Sequence, residues 1–170
     1  MADTGSRILI AGLGNELLGD DGVGVHAARL IRQQRPSSWG REVIILEVGV
    51  AVLDALAVLE RVDQVLAIDA MRAGGAPGTL YAVAESDIDA WDRKAAMHET
   101  GLIGAMRLMI GPIPSVAVLG VEPERIEYGT DLSDTVKRVV PNVAAAAIEC
   151  VRRWIETPFA SERAALSNTQ

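Results

Sequence analysis

Ile8-Leu9-Ile10-Ala11-Gly12-Leu13-Gly14-Asn15-Glu16-Leu17-Leu18-Gly19-Asp20-Asp21-Gly22-Val23-Gly24-Val25 joins an apolar run to a helical pattern through an acidic, glycine-rich turn. The run 8–13 is short, aliphatic and closed by glycines, the pattern of a buried strand. From Val23 onward, Val23, Ala27, Leu30 and Ile31 fall on one helical face, which predicts a helix over 23–33. Strand, tight turn and helix in this order open an α/β fold.

The same alternation continues outward. A second apolar strand is predicted over 42–48, and Val52, Leu56 and Leu59 have helical spacing within 50–61. A third strand over 64–70 ends at Asp69. Ala73-Gly74-Gly75-Ala76-Pro77-Gly78 then breaks the chain before a strand over 79–84. Further on, the sequence predicts a weak helix over 87–96, a helix over 100–110, a strand over 114–121 and a short edge strand over 125–128. A final helix over 132–156 is expected to be interrupted or kinked at Pro141. Strands alternating with helices imply right-handed crossovers and a mostly parallel sheet covered on both faces. The expected fold is a three-layer α/β/α sandwich with an antiparallel edge strand, formed by residues 1–156, with 157–170 as a flexible tail. In such sheets ligands bind outside the carboxyl ends of the strands. The loops after Leu13 and after Asp69 are therefore where chemistry is expected.

Composition narrows the classes of function. Of 170 residues, 49% are hydrophobic and only 4% aromatic, so the core should be aliphatic. Acids outnumber bases 23 to 16, for a net charge of -7, and no basic stripe invites nucleic acid. Cys150 is the one cysteine, which excludes an intramolecular disulfide and a cysteine-rich zinc site. Neither a signal-peptide core nor a bilayer-spanning apolar run is present, so a cytoplasmic protein is expected.

Three segments carry candidate chemistry. In the first turn, an aspartate at a helix start ordinarily caps free N–H groups. A second acid and flanking glycines go beyond that need. Gly12-x-Gly14 suggests a dinucleotide fingerprint, but the next glycine is Gly19, so the spacing fails. Asp20 and Asp21 would also repel a pyrophosphate at that helix terminus, and could instead attract a cation. Asp69, ending an apolar strand, could bond the following turn or serve a site. His98, in Met97-His98-Glu99-Thr100-Gly101-Leu102, precedes a predicted helix amid polar groups, whereas His26 lies within the first helix. One histidine with two aspartates makes a plausible N/O metal set with room for substrate or water. Other schemes fare worse. There is no G-x-S-x-G elbow and no H-E-x-x-H helix. Cys150 falls among Ala144, Ala147, Ile148 and Val151 as a packed small residue. A proton-sharing aspartate pair, Asp21 with Asp69, remains conceivable.

In this order, Gly14-Asn15-x-x-x-Gly19-Asp20-Asp21-Gly22-x-Gly24, Ile68-Asp69-Ala70 with Pro77-Gly78-Thr79, His98-Glu99-Thr100-Gly101-Leu102 and Leu119-Gly120-Val121-Glu122-Pro123 resemble the hydrogenase maturation endopeptidases. Each motif is weak alone and specific as a set, over residues 7–156. The resemblance implies a peptidase that removes a C-terminal peptide from the nickel-loaded large-subunit precursor of a [NiFe] hydrogenase. It carries the metal-contacting and catalytic positions onto Asp21, Asp69 and His98, with nickel supplied by the substrate. Glu16 stands in the variable stretch of the turn. Glu47 stands where relatives often have Asp followed by Gly-Gly, and here Val48 precedes a single Gly49, which bears on local substrate contacts. The free chain is expected to be a monomer. Two alternatives belong to other classes: a non-enzymatic metal-delivery or checkpoint protein, and a nucleotide-binding module, which the acidic turn disfavours.

Overall fold

The computed structural model describes residues 6–40, 42–84, 86–87 and 114–157. Strands β1 (Ile8–Leu13), β2 (Val43–Gly49), β3 (Gln64–Ala70), β4 (Leu80–Val83) and β5 (Ser115–Val121) form one sheet in the order β2-β1-β3-β5-β4. The β1–β2, β1–β3 and β3–β5 pairs are parallel, and β4 runs antiparallel to β5 at the edge. The described helices are α1 (Val23–Gln33), the four-residue α2 (Leu56–Leu59) and α3 (Asp134–Glu156).

Side-chain alternation along β1 explains the layering. Ile8 and Ile10 join Val23, Ala27 and Ile31 of α1 and Val136, Val143 and Ala147 of α3 in one aliphatic core. Leu9 and Ala11 face the other way, against Ala55 and Leu59, with Val65 and Ala67 of β3. Helices thus cover both faces, as the fold class requires. The chain steps from β1 outward to β2 with α1 on one face, then crosses back over β1 to β3 with α2 on the other. The direction of winding reverses between β1 and β3, and that reversal leaves a crevice at their carboxyl ends.

Three local expectations are corrected. The 50–61 helix is a 3-10 turn, Val52–Ala55, followed by α2. Its start at Ala51 offers no side-chain cap, and Val52 and Ala55 face the core at the three-residue spacing of a 3-10 turn. Residues 125–128 form no strand; their segment is bound to the turn before α1, as described below, and β4 supplies the antiparallel edge instead. The final helix runs through Pro141 without interruption. Pro141 stands on the exposed side of α3, where solvent can reach the carbonyl left without its N–H partner. Cys150 is half-buried against the α1–α3 core, as its neighbours implied. No helix among the described residues is long and apolar enough to cross a membrane. The helices expected over 87–96 and 100–110 lie, but for Asp87, outside the described residues, as does the tail from 158.

Candidate active site

Asp21 and Asp69 come together at the crevice. Asp69 lies one residue beyond Ile68, the last β3 residue paired with β1; after Gly12, β1 shifts register and stays paired only with β2, through Leu13 and Gly49. The chain turns at Gly14, whose φ of +102° is left-handed. A side chain there would begin 1.7 Å from the Asp21 carbonyl oxygen and 3.4 Å from Asp69 Oδ1. Gly14 is therefore required by space as well as by φ, and its bare α-carbon lets the two acidic residues close around it. Gly24 does a related job. A Cβ on it would meet the Ile68 carbonyl at 2.0 Å, so only glycine lets α1 start directly against β3.

The two carboxylates are sparsely bonded. Asp21 Oδ2 accepts from the Asn15 N–H at 2.8 Å. Asn15 Oδ1 in turn accepts from the Leu17 N–H at 2.9 Å, an Asx turn that holds the loop. Asp69 Oδ1 accepts from the Ala70 N–H at 2.8 Å. Burial pushes the Asp69 carboxyl up to about 7, the charge of Asp21 adds to the shift, and the Ala70 hydrogen bond only partly offsets it. Asp69 keeps an accessible edge, yet the protein packed around it replaces most of its hydration. A proton or a cation between the pair would relieve both effects. Among the described residues no three His, Cys, Asp or Glu side chains form a metal-holding group. His98 and Glu99 lie outside the described residues.

The neighbouring acids have other partners. Asp20, next to Asp21, is fully buried and accepts four hydrogen bonds, from the N–H groups of Glu124, Arg125 and Ser133 and from Ser133 Oγ, at 2.7–3.0 Å. Those donors replace its hydration, and they bind the segment after β5 to the acidic turn. Ser133 Oγ also accepts from the Val136 N–H, so Asp20 orients the N-cap of α3. The Gly19 N–H donates to the Gly129 carbonyl and the Gly129 N–H to the Leu17 carbonyl. These bonds occupy the backbone around 125–129 and explain why no edge strand forms there. Glu47 pairs with Arg29 at 2.8 Å and with Arg32. Glu16 pairs with Arg29 at 3.1 Å and lies 3.7 Å from His26, whose pKa burial holds below its ordinary value.

Sequence reasoning missed the full role of Glu122. Its Oε2 accepts from the N–H groups of Ala73 and Gly75 and from the Tyr81 hydroxyl, at 2.8, 3.2 and 2.8 Å. Burial alone would raise its pKa, but these donors hold it below the usual carboxylate range. Glu122 thereby fixes the loop that follows Asp69. The signal available was its place in Leu119-Gly120-Val121-Glu122-Pro123, just past the end of β5.

Comparison with known proteins identifies the family. A family model described as hydrogenase maturation protease matches residues 25–150. The hydrogenase expression/formation protein HupD of Rhodobacter capsulatus is 30% identical over 87% of this chain and 72% of its own length. The hydrogenase 2 maturation protease of Escherichia coli is 29% identical, over 86% of this chain and 91% of its own. The solved structure of the hydrogenase maturating endopeptidase HybD from E. coli superposes with a TM-score of 0.76 at 26% identity, covering 86% of this chain and 93% of that one. With the family model spanning most of the fold, and the strand–turn–helix, the switch point and the acidic turn all in place, the chain belongs to the hydrogenase maturation protease family and is a peptidase.

Proposed function

We propose that this chain removes a C-terminal peptide from the nickel-loaded large-subunit precursor of a [NiFe] hydrogenase, with Asp21, Asp69 and His98 contacting the substrate's nickel. The observation that carries the proposal is the Asp21–Asp69 pair, set at the switch point with one backbone hydrogen bond on each carboxylate. Hard oxygen donors held together at a charge cost favour an incoming cation. A donor set with no thiolate suits brief contact with a metal held elsewhere by cysteines. On this reading nickel belongs to the substrate, and the protease recognises it without storing it.

A second role for Asp69 follows from its pKa. A carboxyl titrating near 7 can take a proton from an attacking water at neutral pH. Asp69 then acts as general base while Asp21 faces the metal. The alternative, in which nickel itself polarises the scissile carbonyl, uses the same residues. The reading also places the chain in the cytoplasm, where a precursor awaits processing, as a free monomer.

The test mixes chelator-treated protein with nickel-loaded and with nickel-free precursor and follows the release of the C-terminal peptide. Cleavage of the loaded precursor alone is expected. Equal cleavage of both would defeat nickel recognition. Tight, stoichiometric nickel binding by the free protein would instead indicate a resident metal site.

A further inference from the structure

Among the described residues, the large apolar side chains that stand exposed are Leu17, Val50, Leu53, Tyr128 and Ile155. All but Ile155 sit on loops and turns at the carboxyl edge of the sheet. Leu17, 62% exposed, lies in the turn that carries Asp21. Val50 and Leu53, 72% and 64% exposed, follow β2. Tyr128, 93% exposed, lies in the segment after β5. Both arms are tied to the carboxylate pair. The Gly14 N–H donates to the Gly49 carbonyl at 3.2 Å, which brings the Val50 loop beside the glycine that separates Asp21 from Asp69. Leu17 bonds Gly129 through its backbone, and Asp20 grips the start of the same segment.

Isolated exposed apolar residues are ordinary, but their concentration at one edge of the sheet is a mark of an interaction surface. Charge says what the surface fits. Glu124, Glu127 and Asp131 are exposed beside Tyr128, and Asp54 is exposed beside Leu53. Arg125 is paired with Glu127 at 3.4 Å, and Arg72 is a further cation of this edge, so among the described residues the acids prevail.

We propose that Leu17, Val50, Leu53 and Tyr128 form the docking surface for a segment of the hydrogenase precursor that presents apolar side chains next to basic ones. This rests on the function proposed above and adds what holds the protein substrate while its scissile bond meets the carboxylates. Apolar anchors supply the affinity and the acidic surround supplies orientation and on-rate.

The test is steady-state processing of nickel-loaded precursor by the full chain, by the double variant Leu53→Ser/Tyr128→Ser and by Ile155→Ser. Ile155 lies roughly 30 Å along α3 from the end that bonds Asp20, and serves as control. The exposed positions should leave the thermal midpoint within about 2 °C. The double variant should raise KM about tenfold or more and keep kcat within about twofold, with the control unchanged. Added salt should raise the KM of the unsubstituted chain. An unchanged KM in the double variant, or a fall in kcat alone, overturns the docking surface while the function stands. A salt-independent KM overturns the basic character of the segment. A concentration-dependent dimer that the double variant dissolves assigns the surface to a second copy of the chain and also overturns it. If the unsubstituted chain neither binds nor cleaves precursor, the function itself falls and the docking assignment with it.

Discussion

Replacing Asp69 by Asn should stabilise the free protein, and increasingly so as pH rises. The Asp69 carboxyl titrates near 7 in the fold against 3.8 for an ordinary aspartate. The folded state therefore holds a proton that the unfolded chain gives up, and stability falls as pH rises between these values. At pH 8 the cost of ionising Asp69 in the fold approaches about 4 kcal/mol, and at pH 5 it is roughly 1–2 kcal/mol. Asn has the same shape, does not ionise, and its amide oxygen can still accept from the Ala70 N–H. The advantage of the variant should therefore grow by about 2–3 kcal/mol from pH 5 to pH 8, or about 5–10 °C in thermal midpoint for a chain of this length. Chemical denaturation at matched ionic strength, with chelator present, measures it. A difference between the two proteins that stays constant with pH, or that shrinks as pH rises, would refute the argument from burial and the Asp21 charge. The same variant should lose processing, because it gives up a carboxylate in exchange for stability.

Asp20→Ala should cost about 2–4 kcal/mol, seen as a lower denaturation midpoint, since the Ser133 N–H is buried and loses its acceptor while Glu124 and Arg125 can turn partly to water. Gly14→Ala should destabilise by about 2 kcal/mol or more and abolish processing, because its Cβ would begin 1.7 Å from the Asp21 carbonyl at a left-handed φ; a folded variant with normal processing would remove the proposed packing of the pair. His98→Ala and Asp21→Asn should keep near-native circular dichroism yet process nickel-loaded precursor at least about a hundredfold more slowly; full activity in both would withdraw their roles.

The fold was legible because β1, β3 and α1 carry uninterrupted apolar patterns, and the residues that end them are glycines or acids. Gln64–Ala70 and Val23–Gln33 were read to the residue for that reason. The errors arose where long-range bonds override local pattern. Residues 125–128 alternate like an edge strand, but the backbone at both ends of the stretch is bonded elsewhere: the Arg125 N–H to a buried carboxylate more than a hundred positions earlier in the chain, and Gly129 to Leu17 and Gly19. No local window contains those partners. The same distance hid the work of Glu122, whose donors Ala73, Gly75 and Tyr81 precede it by 41–49 positions. Asp21 and Asp69 were identified as candidates from the switch-point rule and the resemblance together. What sequence could not show was that Gly14 separates them.

Asp20 and Asp21 show how the fold divides labour between identical neighbours. Both enter the turn before α1, and a helix start can use one acid. Asp20 points inward and is saturated by four donors. A buried carboxylate so bonded is a fastener, and it holds the post-β5 segment and the N-cap of α3 to the turn. Asp21 is held by a single backbone N–H and faces a second carboxylate that burial, and to a lesser degree the Asp21 charge, keeps from ionising freely. Nothing in the packing of the described residues requires that arrangement, and it lowers stability at neutral pH. Sites that conflict locally with stability are where function is expected. Asp20 and Asp21 are adjacent, so the segment bearing Tyr128 is bonded to the residue next to Asp21. Docking and chemistry would then be coupled through one turn, and a substitution at Asp20 should disturb KM and kcat together where Tyr128→Ser alters KM alone.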